Sequence, residues 1–392
     1  MTFHRWIVSA ASLLIFLNGA KTSKADDSLD PLLKPYLEKY GLPALAAAVV
    51  KDGTIIAAGA VGTRRFGENI PVTVDDRFHL GSDTKAMTSL IAGMLVDEGK
   101  LRWDSTVAEL FPEQVETMTA DLRGVTLRQL LSHTSGIPSD NATSEDLIVK
   151  SMTKPGNLDE QRAWLVREWF GQPLESKPGS KFAYANMNYV IAGAMIERVA
   201  KKTWEELIVG RVFTPLDLKT AGLGPQSSLG RVDAPLGHET KDGKTRSFLS
   251  GPNGDNPPVV GPAGTAHMSV LDFARWAGWN AGRGKRGPHL VKPETMIQLQ
   301  TIVISMELKK DAAPGTPKSG GYGLGWGVLS VPWGSNPFVF HGGSNTMNLA
   351  HIWLDPAHDL GMVLMTNISN PKADEALKDL APKLYELGTA KK

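Results

Sequence analysis

No cysteine occurs among the 392 residues. Disulfides, thiolate nucleophiles and cysteine-ligated zinc or iron–sulfur centres are therefore excluded. An excess of one charge is missing too: Lys plus Arg total 42 and Asp plus Glu total 41, a formal net charge of +1. That balance offers no basic surface for nucleic acid. The chain has no G-x-S-x-G elbow. It also has no P-loop, no G-x-G-x-x-G after a strand and no H-E-x-x-H, because His238-Glu239 lacks the second histidine. No metal and no cofactor is expected. Beyond the N-terminus no stretch is long and apolar enough for a transmembrane helix.

What is present begins with a leader pattern. His4 and Arg5 precede an apolar run over residues 7–17, too short to span a bilayer comfortably. Ser23-Lys24-Ala25 then sets small residues at the positions a signal peptidase reads. Residues 1–25 are read as a cleaved signal peptide. The mature protein is then periplasmic or secreted, with no stable membrane insertion. Its 42% hydrophobic and 21% charged content is that of a globular chain. Its length allows a sizeable core without staples.

Leu32, Leu33, Tyr36, Leu37 and Tyr40 recur at helical spacing before Gly41, with Pro35 marking where the regular helix is expected to begin. Two apolar runs, 44–50 and 54–61, flank Lys51-Asp52-Gly53, a hairpin signal. Met87, Leu90, Ile91, Met94 and Leu95 form a core-facing stripe on a helix over residues 82–98. Residues 101–262 show scattered helical patterns and few strand signals, with 190–199 the clearest helix. Short apolar runs at 322–330, 338–341, 349–354 and 360–366 read as strands. Ala373, Leu377, Leu380, Leu384 and Leu387 then mark a C-terminal helix. The expected fold is mixed α/β (α+β), an antiparallel sheet flanked by helices plus a mainly helical domain. Residues 26–100 and 263–392 build the sheet domain, and residues 101–262 the helical one. The active site is expected in the cleft between them.

Three segments carry chemistry. In Phe78-His79-Leu80-Gly81-Ser82-Asp83-Thr84-Lys85, Ser82 and Lys85 stand three apart at a helix start and share a face. A serine needs a base to become a nucleophile. A lysine serves if burial and neighbouring positive charge lower its pKa. In Tyr184-Ala185-Asn186, a tyrosine near an ammonium can have a depressed pKa and relay a proton. Asn186 can hold a substrate carbonyl or position the lysine. In Phe340-His341-Gly342-Gly343-Ser344, two glycines at a strand end allow close backbone approach. There the N–H of Ser344 can join that of Ser82 as an oxyanion donor. His341 either binds a substrate carboxylate when protonated or hydrogen-bonds within the site. Trp326 is a pocket-wall candidate.

In this order, the segments resemble the serine β-lactamase-like and penicillin-binding-protein family, which includes class C β-lactamases, D-alanyl-D-alanine carboxypeptidases and carboxylesterases. The likeness also rests on Leu127-Arg128-Gln129-Leu130-Leu131-Ser132-His133-Thr134-Ser135-Gly136-Ile137, Pro178-Gly179, Phe182, Pro262-Ala263-Gly264-Thr265 and residues 360–367. It implies an acylated Ser82, proton transfer by Lys85 and Tyr184, and substrate contacts at Asn186, His341, Gly343 and Ser344. His133 and Ser135 are mostly structural in that family. The third motif is K-T-G in β-lactamases and often H-x-G in the peptidases and esterases of that family. His341-Gly342-Gly343 therefore points toward an ester or D-amino-acid peptide rather than a β-lactam. Where many relatives carry Gly-Phe, this chain has Met347-Asn348. The reading is a β-lactamase-related serine hydrolase acting on a small-molecule or peptide substrate, with the oligomeric state open. The alternatives are a class C-type β-lactamase and a penicillin-binding sensor that acylates without turning over.

Overall fold

The computed structural model describes residues 27–249, 254–306 and 319–390. The predicted leader lies outside them. Strands Ala44–Lys51 and Thr54–Gly62 pair antiparallel across a two-residue turn. Asp52 and Gly53 both have positive φ, 51° and 76°, as a tight type I′ hairpin requires. At the other end of the chain, Phe338–Ser344, Leu349–Asp355 and Leu360–Thr366 form an antiparallel meander. The two ends join where Ala44–Lys51 pairs with Leu360–Thr366, Ala46 opposite Met365. With Gly327–Ser330, Ser319–Tyr322, Ile304–Ser305 and the edge strand Asp27–Ser28, the described residues make a nine-stranded sheet.

Alternation along the central strands decides which helix covers which face. Ala44, Ala46 and Ala48 face one core with Ala274 and Ala277 of helix Val270–Ala281 and with helix Thr84–Asp97. Leu45, Ala47 and Val49 face the other, with Leu33 of helix Asp30–Tyr40 and Leu377 and Leu380 of helix Pro371–Thr389. The mixed α/β architecture, one sheet between helical layers, is therefore as expected. Helices Ala142–Ser151, Leu158–Trp169 and Asn186–Ala200 come from the middle of the chain.

The structure departs from the sequence reading in several places. Helix Asp30–Tyr40 begins before Pro35 and carries that proline inside it. Pro31 already occupies its first turn, where a missing N–H costs nothing, so Pro35 removes a single interior bond. The run at 322–330 is two strands folded back at Gly325, whose φ is 81°. The middle of the chain holds more β-structure than its patterns suggested. Gly222–Leu223 joins Arg77–His79 and Ala266–Ser269 in a small sheet, and Gly237–Lys241 forms a hairpin with Lys244–Phe248. That hairpin turns at Asp242-Gly243, with φ of 52° and 72°. It is the same dipeptide signal as at Asp52-Gly53, overlooked because its strands are polar. Trp326 is 1% exposed and stacks on Trp276 at 6.4 Å, so it belongs to the core rather than to a pocket wall.

Candidate active site

A tight turn sets Ser82 at the head of its helix. Arg77–His79 ends at Leu80, whose N–H donates to Ala266 O at 2.9 Å. A 3-10 turn, Gly81–Asp83, leads into helix Thr84–Asp97. Thr84 ties the turn down: its hydroxyl donates to Gly81 O at 2.7 Å and accepts from Ala266 N at 3.0 Å. Gly81 has φ 50°, and a Cβ there would lie 2.3 Å from Ser344 N. A Cβ on Gly343 would lie 1.9 Å from Leu80 O and 2.7 Å from Ser82 N. The glycine strand and the nucleophile turn thus meet backbone to backbone, which brings the N–H groups of Ser82 and Ser344 to one place. Ser82, Tyr184, Asn186 and Ser344 keep partial exposure, whereas Lys85, His341 and Gly343 are buried.

Lys85 is 0% exposed. Its Nζ donates to Ser82 Oγ at 3.0 Å, to Asn186 Oδ1 at 2.7 Å and to Ala263 O at 2.7 Å. It also lies 4.8 Å from the Tyr184 ring centroid and 5.4 Å from that of Tyr189. Burial lowers its pKa to about 7, against the charges of Asp140 and Asp83, which raise it. The depression expected from the sequence is present, but its cause is desolvation; the charges that act on it are negative and oppose it.

Tyr184 differs from expectation. Burial raises its pKa, and the nearby Ser82 hydroxyl offsets this only in part. It is a neutral phenol and therefore a proton donor. The block around His133 grips it. His133 turns through φ 56°, a conformation that costs of order 1 kcal/mol in a non-glycine residue. In that conformation its carbonyl accepts from Ala183 N at 2.9 Å and its Nδ1 from Ala185 N at 3.3 Å. Its ring lies 4.3 Å from that of Tyr184. Ser135 Oγ donates to Asn188 Oδ1 at 2.6 Å. Both residues support the tyrosine segment from behind.

His341 turns into the fold. Its Nε2 lies 2.9 Å from Tyr322 Oη, and its Nδ1 lies 3.0 Å from Gly342 O and 3.4 Å from Asp83 Oδ1. Burial lowers its pKa to about 3, with the charge of Lys85 adding to the effect. It offers no positive charge to a substrate carboxylate. Asp83, also buried, has its carboxyl pushed well up by desolvation, opposed by Lys85.

Sequence reasoning missed two sets of residues. Asp140 accepts from Asn186 N at 3.0 Å and from Asn186 Nδ2 at 2.5 Å. His79 accepts from Gly81 N at its Nδ1, 2.9 Å away, and its Nε2 lies 2.8 Å from Asp255 Oδ1. Asp255 Oδ1 accepts from Asn345 Nδ2 at 3.0 Å. Asn345 Oδ1 in turn accepts from Asn348 Nδ2 at 3.0 Å, and Asn348 Oδ1 from Gln226 Nε2 at 3.0 Å. The Met347-Asn348 departure is thus a buried polar link behind the nucleophile turn. No motif marks Asp140 or Asp255. His79 lies inside the Ser82 segment but carries no signal of its own.

With this geometry in place, the family model named Beta-lactamase matches residues 29–385. The chain belongs to the beta-lactamase family. Curated relatives include Protein flp of Staphylococcus aureus, 25% identical over 373 residues, 93% of this chain. The chain spans 66% of that protein's length. Penicillin-binding protein 4 of Amycolatopsis lactamdurans is 27% identical over 335 residues, covering 84% of this chain and 82% of that one. Among solved structures, the octameric penicillin-binding protein homologue from Pyrococcus abyssi has a TM-score of 0.73 at 25% identity, covering 91% of this chain and 77% of that one. EstCE1, described as a hydrolase with promiscuous acyltransferase activity, shares the fold at a TM-score of 0.71 and 19% identity, covering 90% of this chain and 96% of that one. The family is the beta-lactamase family, and the fold is the one these penicillin-binding-protein and hydrolase structures share.

The contact between the glycine strand and the nucleophile turn yields a prediction. Gly343→Ala must force the strand away from Ser82 N. Misplacing one oxyanion donor costs roughly 10²-fold or more in kcat. Burst kinetics on a p-nitrophenyl ester should show slowed acylation with the far-UV circular dichroism retained.

Proposed function

We propose that the chain is a serine hydrolase that cleaves an ester or amide bond through a Ser82 acyl-enzyme. The observation that carries this reading is the wholly buried Lys85 amine, 3.0 Å from Ser82 Oγ and with its pKa lowered to about 7. An amine poised near neutrality is matched to general-base work at working pH.

Lys85 takes the Ser82 proton as Oγ attacks the carbonyl carbon. The developing oxyanion is held by the N–H groups of Ser82 and Ser344. As the tetrahedral intermediate collapses, the neutral Tyr184 phenol gives its proton to the leaving group and recovers one from the Lys85 ammonium. The bond to the leaving group breaks and the acyl group stays on Oγ. Water then attacks the acyl carbon, its proton passing to the same pair; the bond from the acyl carbon to Oγ breaks, and the pair returns that proton to Oγ, releasing the acid and regenerating Ser82.

His341 bears on the substrate. A positive partner strengthens the hold on a β-lactam carboxylate or a free C-terminal carboxylate, and this neutral imidazole supplies none. That supports a carboxylic ester or a D-amino-acid amide or peptide over a class C-type β-lactamase activity. The leader pattern at residues 1–25 supports work outside the cytoplasm, in the periplasm or as a secreted protein.

Ser82→Ala should cut p-nitrophenyl ester hydrolysis by at least ~10³-fold; activity equal to the parent in an identically prepared sample would sink the assignment. The pH profile of kcat/KM should rise through about 7, because only the neutral Lys85 amine accepts the proton. It should fall about tenfold per unit below that point. No alkaline limb should come from Tyr184, whose pKa is raised. N-terminal sequencing of the secreted product should begin at Asp26, whereas an intact Met1 would refute the leader.

A further inference from the structure

Asp140 sits in the loop after the His133 block, exposed to solvent, and belongs to none of the three motifs. Its carboxylate nevertheless makes two hydrogen bonds to one catalytic-site residue, accepting from both the backbone N–H and the side-chain amide of Asn186. Asn186 opens helix Asn186–Ala200, so the first contact also places negative charge at a helix N-terminus, where it is stabilised.

The second contact decides which way the Asn186 amide faces. A carboxylate only accepts, and an amide has one accepting and one donating end. The donating end must therefore face Asp140, leaving Oδ1 toward Lys85 Nζ at 2.7 Å. Ala263 O, also at 2.7 Å, is a second pure acceptor. As an ammonium, Lys85 has three donors for Ser82 Oγ, Asn186 Oδ1 and Ala263 O. As a neutral amine it has two hydrogens and one lone pair. The two pure acceptors claim both hydrogens, and the lone pair is left pointing at Ser82. If the amide flipped, its NH2 would compete for that lone pair.

We propose that Asp140 is a positioning residue for the hydrolytic reaction, holding the Asn186 amide in the one orientation that turns the Lys85 lone pair onto the Ser82 hydroxyl. The inference rests on the Ser82 acyl-enzyme reading above. Asp140 acts through Asn186 and also through its charge, which raises the Lys85 pKa against burial. The other groups facing Lys85 are Asp83 on its own turn and the rings of Tyr184 and Tyr189. His133 and His341 lie close enough for its charge to lower both of their pKa values.

The test uses Asp140→Asn in the full mature chain. The substitution keeps size and the acceptor for Asn186 N, but sets an NH2 against the NH2 of Asn186. Asn186→Ala and the double variant complete a cycle. The readouts are kcat and KM on a p-nitrophenyl ester between pH 5 and 10, the labelling of Ser82 by a fluorophosphonate and the thermal midpoint. In D140N we expect kcat to fall about 10- to 100-fold with KM little changed, as for a lost supporting contact. The acid limb should move to lower pH, because a negative charge near Lys85 is gone. The double variant should be no slower than Asn186→Ala, since the two residues act as one unit. A loss with an unmoved acid limb, or losses that multiply in the double variant, would overturn the role. So would activity within twofold of the parent at every pH. Parent protein that neither labels at Ser82 nor turns over would overturn the hydrolase reading and this inference with it. Normal labelling of the parent alongside an unaltered D140N variant would overturn the inference alone.

Discussion

The site depends on keeping one amine out of water. Lys85 has no solvent contact, and its three hydrogen-bond acceptors come from separate stretches of chain: the nucleophile turn, the head of the tyrosine helix and the turn at Ala263. Moving an ammonium from water into such a place carries a penalty of several kcal/mol, which the protein meets by lowering its pKa. The same burial that opposes the charged form favours the neutral amine, the form the proposed hydrolase uses as its base. Assembly of the fold and the neutral state of Lys85 are therefore one event, because the acceptors converge only when the sheet and the helical segment have docked.

Beneath Ser82 the environment is made of groups that burial drives toward neutrality. The Asp83 carboxyl is pushed up, the imidazoles of His133 and His341 are pushed down, and the phenols of Tyr184, Tyr189 and Tyr322 are pushed up. Few formal charges then compete with Lys85, and the solvent-facing Asp140 acts on it from the rim. The nucleophile turn is held independently, by backbone contact with the glycine strand and by the buried chain from His79 through Asp255, Asn345 and Asn348 to Gln226. Geometry and electrostatics at Ser82 are thus supplied by different parts of the molecule.

Elements whose reason is local were legible in the chain. The Asp52-Gly53 hairpin needs only two residues that tolerate positive φ, and the amphipathic stripe after Ser82 needs only its spacing. The polar hairpin at Asp242-Gly243 escaped because it buries little and so shows no apolar alternation. The split at Gly325 was hidden inside a run that reads as continuous strand. At the site, the motif residues Ser82, Lys85, Tyr184 and Asn186 are brought together as their order suggested. The state of His341 was not legible, since a histidine's charge depends on what surrounds it. Asp140 had no spacing relation to anything it serves, 46 residues from Asn186.

The sequence by itself determined the chemical repertoire: a serine and a lysine on one helical face, a tyrosine, a glycine-bordered strand, and no thiol to offer another route. It also determined that both chain ends would share a sheet, because short apolar runs separated by turn residues stand at both. Only the tertiary structure decided that desolvation, and not neighbouring cations, tunes the lysine. It likewise decided that the tyrosine is a donor, that His341 is neutral and that Asp140 reaches the site. Each of these is a matter of distance to water or to another group, and such distances exist only once the chain is packed.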